Sequence, residues 1–328
     1  MKAAYIEQTG PPENIIYGDL PKPKPTGTEV LVKVEAVAVN PVDTYIRAGL
    51  YPVELPKRFI VGCDLAGVVE AVGPEASRYQ RGDRVWGSNQ GLLGRQGTFA
   101  EHVAVDECWL YPTPEEVSSQ DAAAVALVGI TAHLGLFRNA RLKMGESVFV
   151  HGGSGGVGAC VVQMARAIGA RVITTAGSDE KVQICRQVGA NAVVNYKTDD
   201  VDAAVRKFGP VDVWFENLRE QDLVQAVEHL AFHGRLIVMA GRDSRPPFPV
   251  GPFYTKDCTL YGFAMFNAPP EEQRKCAAEI NRWLAKGRLR PRIDRVMPLA
   301  EAAAAHRLQE DNTIRRAGTL AGKIVLVP

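Results

Sequence analysis

Five glycines fall within residues 152–158, in the run His151-Gly152-Gly153-Ser154-Gly155-Gly156-Val157-Gly158, and no other stretch constrains the chain as much. The apolar run Val148-Phe149-Val150 leads into them, and Ala159-Cys160-Val161-Val162-Gln163-Met164-Ala165 continues as a helix-like segment. Gly153, Gly155 and Gly158 fit G-x-G-x-x-G in register. In that pattern Gly153 permits the tight strand-to-helix turn, Gly155 lets backbone approach a pyrophosphate, and Gly158 lets the helix lie close on its strand. The N–H groups and positive dipole end of the helix start then hold the phosphates. Without its flanks the cluster reads as a glycine-rich structural turn; with them it predicts a dinucleotide site.

A chain of 328 residues is long enough for two domains with their own cores. It is 46% hydrophobic and 23% charged, an ordinary globular balance. A net charge of +1 gives no general attraction to nucleic acid or to an anionic membrane. Met1-Lys2-Ala3-Ala4-Tyr5 begins like a strand rather than a secretion signal. Gly, His or charge interrupts the most apolar stretches short of membrane-spanning length. Cysteines 63, 108, 160, 185, 258 and 276 are widely spaced and form no C-x-x-C, which predicts thiols in a reducing cytoplasm.

Residues 1–124 read as β-rich, with β-branched runs at 30–39, 64–72 and 98–105 punctuated by Pro and Gly. From about Ser119 strands alternate with helices, at 147–151, 171–176, 192–195, 211–216, 235–240 and 258–263. That alternation predicts an α/β fold, a doubly wound parallel sheet of Rossmann type. Residues 270–286 suggest an amphipathic helix and 322–327 a closing strand.

The second strand of the nucleotide unit ends in Ala176-Gly177-Ser178, where an NAD site would place a carboxylate on the ribose 2′-hydroxyl. The missing carboxylate removes repulsion against a 2′-phosphate; Ser178 can donate to one and Lys181 adds positive charge. Asp179 and Glu180 are read as acids of a helix first turn. These residues favour NADPH.

Four blocks carry a family resemblance: residues 39–49 (Val39-Asn40-Pro41-Val42-Asp43-Thr44-Tyr45 onward), residues 62–73, residues 150–158, and Gly322-Lys323-Ile324-Val325-Leu326. Over its whole length the chain resembles the zinc-independent quinone oxidoreductases of the medium-chain dehydrogenase/reductase superfamily, the group that includes zeta-crystallin. The resemblance implies a GroES-like substrate domain built from residues 1–124 and 266–328, with a Rossmann NADPH-binding domain inserted at 125–265. It places Ser154, Gly155, Gly156 and Val157 at the pyrophosphate, and Gly177, Lys181 and Tyr196 around the 2′-phosphate. It also places Thr131, Phe263 and Ala264 near the nicotinamide, Gly241 at a strand end beside the cofactor, and Asn40, Tyr45 and Tyr51 in the cleft that takes the acceptor ring. The loop 217–220 matches no cofactor contact.

Zinc-dependent relatives need a Cys and a His-Glu pair where this chain has Val39-Asn40-Pro41 and Gly62-Cys63-Asp64, and no cysteine occurs between 64 and 107. No metal is expected; zinc on Cys63 and Asp64 with His102 or Cys108 is the alternative. Without a Lewis acid, an easily reduced quinone or enone suits the site better than an alcohol. Asn40 is read as fixing the nicotinamide carboxamide or polarising the acceptor, and Tyr45 and Tyr51 as stacking on a flat ring, with either hydroxyl supplying a proton; the plain alternative is that both tyrosines only fill the domain interface. The leading expectation is an NADPH-dependent quinone reductase. An enone reductase, or a nucleotide-binding structural or RNA-binding protein, are the other readings, although no basic aromatic patch favours RNA. Thr259-Leu260-Tyr261-Gly262-Phe263-Ala264-Met265-Phe266 reads as the last strand of the nucleotide sheet, with neither Lys nor Pro to guard its edge. A homodimer or homotetramer paired through that edge is expected.

Overall fold

The computed structural model describes residues 1–51 and 54–328. The chain divides into two compact units: Met1–Leu127 together with Pro269–Pro328, and Val128–Ala268. The sequence-based boundaries at 124/125 and 265/266 fall three residues short of these.

The first unit opens with β1 (Lys2–Ile6), β2 (Ile16–Asp19) and β3 (Glu29–Ala38). Helix α1 (Pro41–Arg47) follows, then β4 (Phe59–Ile60), β5 (Leu65–Val72), β6 (Arg84–Gly87), β7 (His102–Asp106) and β8 (Leu110–Pro112). Val30, Val32 and Val34 of β3 are buried while Lys33 and Glu35 are exposed, the period of two expected of a sheet with one wet face.

Helix α2 (Ser119–His133) runs without a break into a π-helical turn at Leu134–Asn139. The Ser119–Asn139 stretch is long and apolar enough to cross a membrane, contrary to the expectation that Gly and His would interrupt any such run. Most of it is buried inside the protein, as a core helix would be.

The second unit continues through β9 (Ser147–Val150), α3 (Gly156–Ala167), β10 (Arg171–Ala176), α4 (Asp179–Gln187), β11 (Ala192–Asn195) and α5 (Val201–Phe208). It ends with β12 (Val211–Glu216), α6 (Leu223–His229), β13 (Leu230–Val238), α7 (Val250–Thr255) and β14 (Thr259–Gly262). The strands pair in parallel in the order β11-β10-β9-β12-β13-β14. Counted along the unit this is 3-2-1-4-5-6, the Rossmann order, which reverses direction between β9 and β12. All four residues of β9 are buried, as a central parallel strand requires. Phe149 stacks on Trp214 of β12 with ring centroids 3.8 Å apart, at the centre of a cluster that includes Ile173, Val205 and Leu236.

The expected strand 259–266 is shorter: β14 stops at Gly262, and Met265–Asn267 forms a 3-10 turn that buries Met265. The chain then returns to the first unit as α8 (Pro270–Ala285), β15 (Ile293–Pro298), α9 (Ala302–Thr313) and β16 (Lys323–Val327). Strand β16 pairs antiparallel with β3, placing Val325 opposite Ala38 and Leu326 opposite Val37, so both chain ends build one sheet.

Candidate nucleotide and acceptor sites

In the second unit the turn after β9 takes its tightest bend at Gly152, whose φ is +60°, rather than at Gly153 as the motif suggested. Gly152 N–H donates to Thr175 Oγ1 at 3.1 Å and Gly153 N–H to the Thr175 carbonyl at 3.1 Å, tying the turn to β10. Gly153 is small for a packing reason: a Cβ there would lie 2.6 Å from Thr174 Oγ1. A Cβ on Gly158 would overlap the Gly152 carbonyl, so this glycine brings helix and turn together. Beside Gly155 a Cβ would meet only the Gly152 oxygen, at 3.3 Å, and the space beyond is open.

Ala159 N–H makes the first bond of α3, to the Gly155 carbonyl at 2.9 Å. The N–H groups of Gly156, Val157 and Gly158 precede it and point out of the helix start, next to the buried Ser154. Open space, three donors and a helix dipole form an anion cradle at the carboxyl end of β9, where the strand order reverses. A pyrophosphate fits it.

At the end of β10 Ser178 caps α4, its Oγ accepting the Lys181 N–H at 3.3 Å and keeping its own hydrogen to donate. A Cβ on Gly177 would overlap the Tyr196 hydroxyl, so Tyr196 lies directly over that glycine. Asp179 is held aside by a 3.0 Å bond from Asn195 Nδ2. Ser178 and Tyr196 therefore lie at Gly177, with Lys181 in the first turn of α4.

Gly241 has a φ of +81°, and a Cβ on it would run into Gln221. Gln221 Nε2 donates to the carbonyls of Ala240 and Leu218 at 2.8 and 2.7 Å. Phe263 follows β14, with the Arg138 guanidinium 5.7 Å from its ring centroid, and Ala264 precedes the 3-10 turn. Thr131 is buried in α2.

Sequence reading left the 217–220 loop unassigned and passed over His151 and Glu216. Fully buried Glu216 accepts from Trp214 Nε1 at 3.2 Å and Leu218 N–H at 3.0 Å, with His151 Nε2 3.4 Å away. Asn217 Nδ2 donates to the His151 carbonyl at 3.1 Å. These bonds pin the loop beside the glycine turn. A histidine and a glutamate ending two apolar strands were the signal in the sequence, and only the strand order shows the two strands to be adjacent.

In the first unit Tyr45 lies on α1, half-buried, with its ring centroid 6.3 Å from that of Tyr51. Asn40 is placed differently from expectation. It is wholly buried, and its Nδ2 donates to Asp64 Oδ2 at 2.8 Å and to the Ala38 carbonyl at 3.3 Å. Both amide hydrogens being engaged, Asn40 offers no donor with which to polarise an acceptor. Asp64 Oδ1 also accepts from Ser88 Oγ at 2.7 Å and from Leu127 N–H at 3.1 Å. Burial raises the Asp64 carboxyl above its ordinary range, while Lys323 and these bonds oppose the rise. Burial likewise pushes the neighbouring Asp43 up to about 7 and the Cys63 thiol well up.

This donor set does not fit zinc. The Lys323 ammonium stands 3.9 Å from Asp64 Oδ2, where it repels a second cation. Among the described residues no three of His, Cys, Asp and Glu gather closely enough to hold an ion.

Comparison with known proteins agrees with this architecture. Residues 26–115 match the family described as the alcohol dehydrogenase GroES-like domain, and residues 156–282 match the one described as zinc-binding dehydrogenase. The chain is 36% identical to a quinone oxidoreductase of Sus scrofa, over 100% of this chain and 98% of that protein. Among solved structures it superposes on an NAD-dependent alcohol dehydrogenase with a TM-score of 0.90 at 29% identity, with all of both chains covered. It superposes on a mycobacterial protein complexed with NADPH with a TM-score of 0.87 at 31% identity, again over the full length of both. The chain belongs to the quinone oxidoreductases of the medium-chain dehydrogenase/reductase superfamily.

Proposed function

We propose that the protein reduces quinones with NADPH and without a metal. One observation supports the cofactor choice: at the end of β10 Ser178 caps α4 next to Gly177, the Tyr196 hydroxyl lies over Gly177, and Asn195 holds the Asp179 carboxylate. The N–H groups of Gly156, Val157 and Gly158 hold the pyrophosphate, with Ser154 and Gly155 leaving room for it. The Ser178 hydroxyl and Lys181 ammonium receive the 2′-phosphate, and Tyr196 and Gly177 shape the adenosine end. Thr131, Gly241, Phe263 and Ala264 form the nicotinamide surroundings within the second unit.

Bound NADPH supplies a hydride. Tyr45 and Tyr51 stack on the acceptor ring and hold it in one orientation, and a tyrosine hydroxyl delivers the proton that completes a hydroquinone. Asn40 acts here through α1 rather than by direct contact.

The test is NADPH oxidation against ortho-quinones, para-quinones and enones, with and without EDTA. Quinone turnover unaffected by EDTA is expected. Turnover confined to enones would replace the reading by an alkene reductase, and loss of activity on chelation, restored by zinc, would overturn its metal-free part.

For the cofactor, Lys181→Ala is expected to weaken NADPH about tenfold, ~1.4 kcal/mol, and to leave NADH within about twofold. Fluorescence titration of both nucleotides decides it, and equal losses would remove Lys181 from the 2′-phosphate.

We also propose a homodimer paired through β14, the edge strand of its sheet. Leu260 on β14, Phe232 on β13, and Val250 and Tyr254 on α7 are exposed apolar side chains in this stretch. Pairing with a second copy would bond the free edge and cover them. Light scattering at micromolar concentration should give twice the chain mass; a monomer would refute the pairing. Cys63, Cys108, Cys185 and Cys258 are thiols in the fold, which suits a reducing cytoplasm.

A further inference from the structure

Lys323, at the start of β16, carries its charge into the interior of the first unit, only 4% exposed. Its Nζ donates to the Val39 carbonyl at 2.7 Å and to Asn40 Oδ1. The other end of the same carboxamide donates to Asp64 Oδ2. Asn40 thus bridges a cation and an anion, oxygen toward the ammonium and nitrogen toward the carboxylate. The flipped carboxamide would set donors against Lys323, which has only donors, and an acceptor against Asp64, which has only acceptors.

Asn40 is also the residue from which α1 springs. Its backbone N–H donates to Asp43 Oδ2 at 2.7 Å, and its carbonyl accepts the Asp43 N–H at 3.1 Å. One turn later α1 carries Tyr45, whose carbonyl accepts the Leu50 N–H at 2.9 Å and so ties in the segment leading to Tyr51. The placement of both rings descends from Asn40.

We infer that Lys323 is a positioning residue: its ammonium, balanced by Asp64, clamps Asn40 and so sets where α1 presents Tyr45 to the acceptor. The inference rests on the reading of Tyr45 and Tyr51 as the acceptor contacts. A plain stabilising ion pair is the competing role, and buried ion pairs are poor stabilisers, often replaceable by apolar residues of similar volume. Only the positioning role predicts a Tyr45 ring that moves and a quinone kcat/KM that Lys323→Arg restores.

The variants are Lys323→Met, Lys323→Arg, and the charge-balanced double variant Lys323→Met with Asp64→Leu. Each is measured for thermal midpoint, for NADPH dissociation constant, and for kcat and KM with 1,2-naphthoquinone. Each is also labelled with 3-fluorotyrosine, so that the Tyr45 resonance, assigned through Tyr45→Phe, reports the ring directly. The double variant should keep its NADPH affinity within twofold, while its midpoint falls because the Asn40 carboxamide, Ser88 Oγ and Leu127 N–H lose their partners. It should lose at least tenfold in kcat/KM for the quinone and shift the Tyr45 resonance. Lys323→Arg should restore most of both. An unmoved Tyr45 resonance with unchanged kcat/KM in the double variant would overturn the inference. A Tyr45 resonance that follows Lys323 in a protein reducing no quinone would support the clamp and refute the proposed activity instead.

Discussion

Gly155→Ala is expected to keep its stability and lose the nucleotide, whereas Gly158→Ala is expected to lose stability as well. The backbone at Gly155 has φ −85° and ψ 176°, extended geometry that alanine adopts freely. Its added methyl would meet one protein atom, the Gly152 oxygen at 3.3 Å, and would otherwise fill the open space of the cradle. The thermal midpoint should stay within about 2 °C of wild type. NADPH should bind at least ~100-fold more weakly, about 2.8 kcal/mol, because the methyl stands where the phosphates must approach the N–H groups. At Gly158 the methyl meets backbone, with the Gly152 carbonyl carbon 2.8 Å away and no flexible side chain to give way. Overpacking of that kind costs about 1–3 kcal/mol, so this variant should melt several degrees lower as well. Calorimetry and nucleotide titration on the pair decide the matter. NADPH affinity at the wild-type level in Gly155→Ala would move the pyrophosphate elsewhere.

The second large effect concerns pH. Burial raises the Asp43 carboxyl from 3.8 to about 7, so the native protein binds a proton there that the unfolded chain releases. The stability this group contributes is full below about pH 4 and is lost as pH rises to about 7, above which nothing further changes. The span is worth about 4 kcal/mol. Asp43→Asn keeps an oxygen to accept the Asn40 N–H and has no proton to release. The difference in unfolding free energy between wild type and Asp43→Asn should therefore shift by about 4 kcal/mol between pH 4 and pH 8, in favour of the variant at the higher pH. Urea unfolding across that range measures it, and a difference that stays constant with pH would show that Asp43 does not titrate in the fold.

Local patterns were legible in the sequence and distant ones were not. The β9–glycine–α3 unit could be read because its strand, turn and helix follow one another within about twenty positions, although the Thr174 and Thr175 contacts that hold the turn come from β10. The motif nevertheless misplaced the left-handed residue, because Gly152 lies outside G-x-G-x-x-G and only coordinates show where the chain bends. β14 read as too long because Phe263, Met265 and Phe266 are as apolar as a strand, yet the backbone turns after Gly262 and buries Met265 in a 3-10 turn. The hub at Asp64 was invisible for a different reason. Asn40, Asp64, Ser88, Leu127 and Lys323 are spread over nearly the whole chain, and in the sequence Lys323 is simply a charge opening an apolar strand. Asn40 thus read as facing a ligand when its polar ends face Asp64 and Lys323.

The pairing of β16 with β3 also fixes an order of events while the chain is being made. Val128–Ala268 is one uninterrupted stretch, so all of its residues are made before residue 269. The other unit is not continuous. Val37 and Ala38 of β3 lack their neighbours, and Asp64 lacks its counter-charge, until Lys323–Val327 emerges. Throughout that interval the first unit has an open edge at Val37 and Ala38 and an unbalanced buried acid. Removing Lys323–Val327 would leave that edge of β3 bare and Asp64 without its counter-charge, the kind of open edge that invites mispairing.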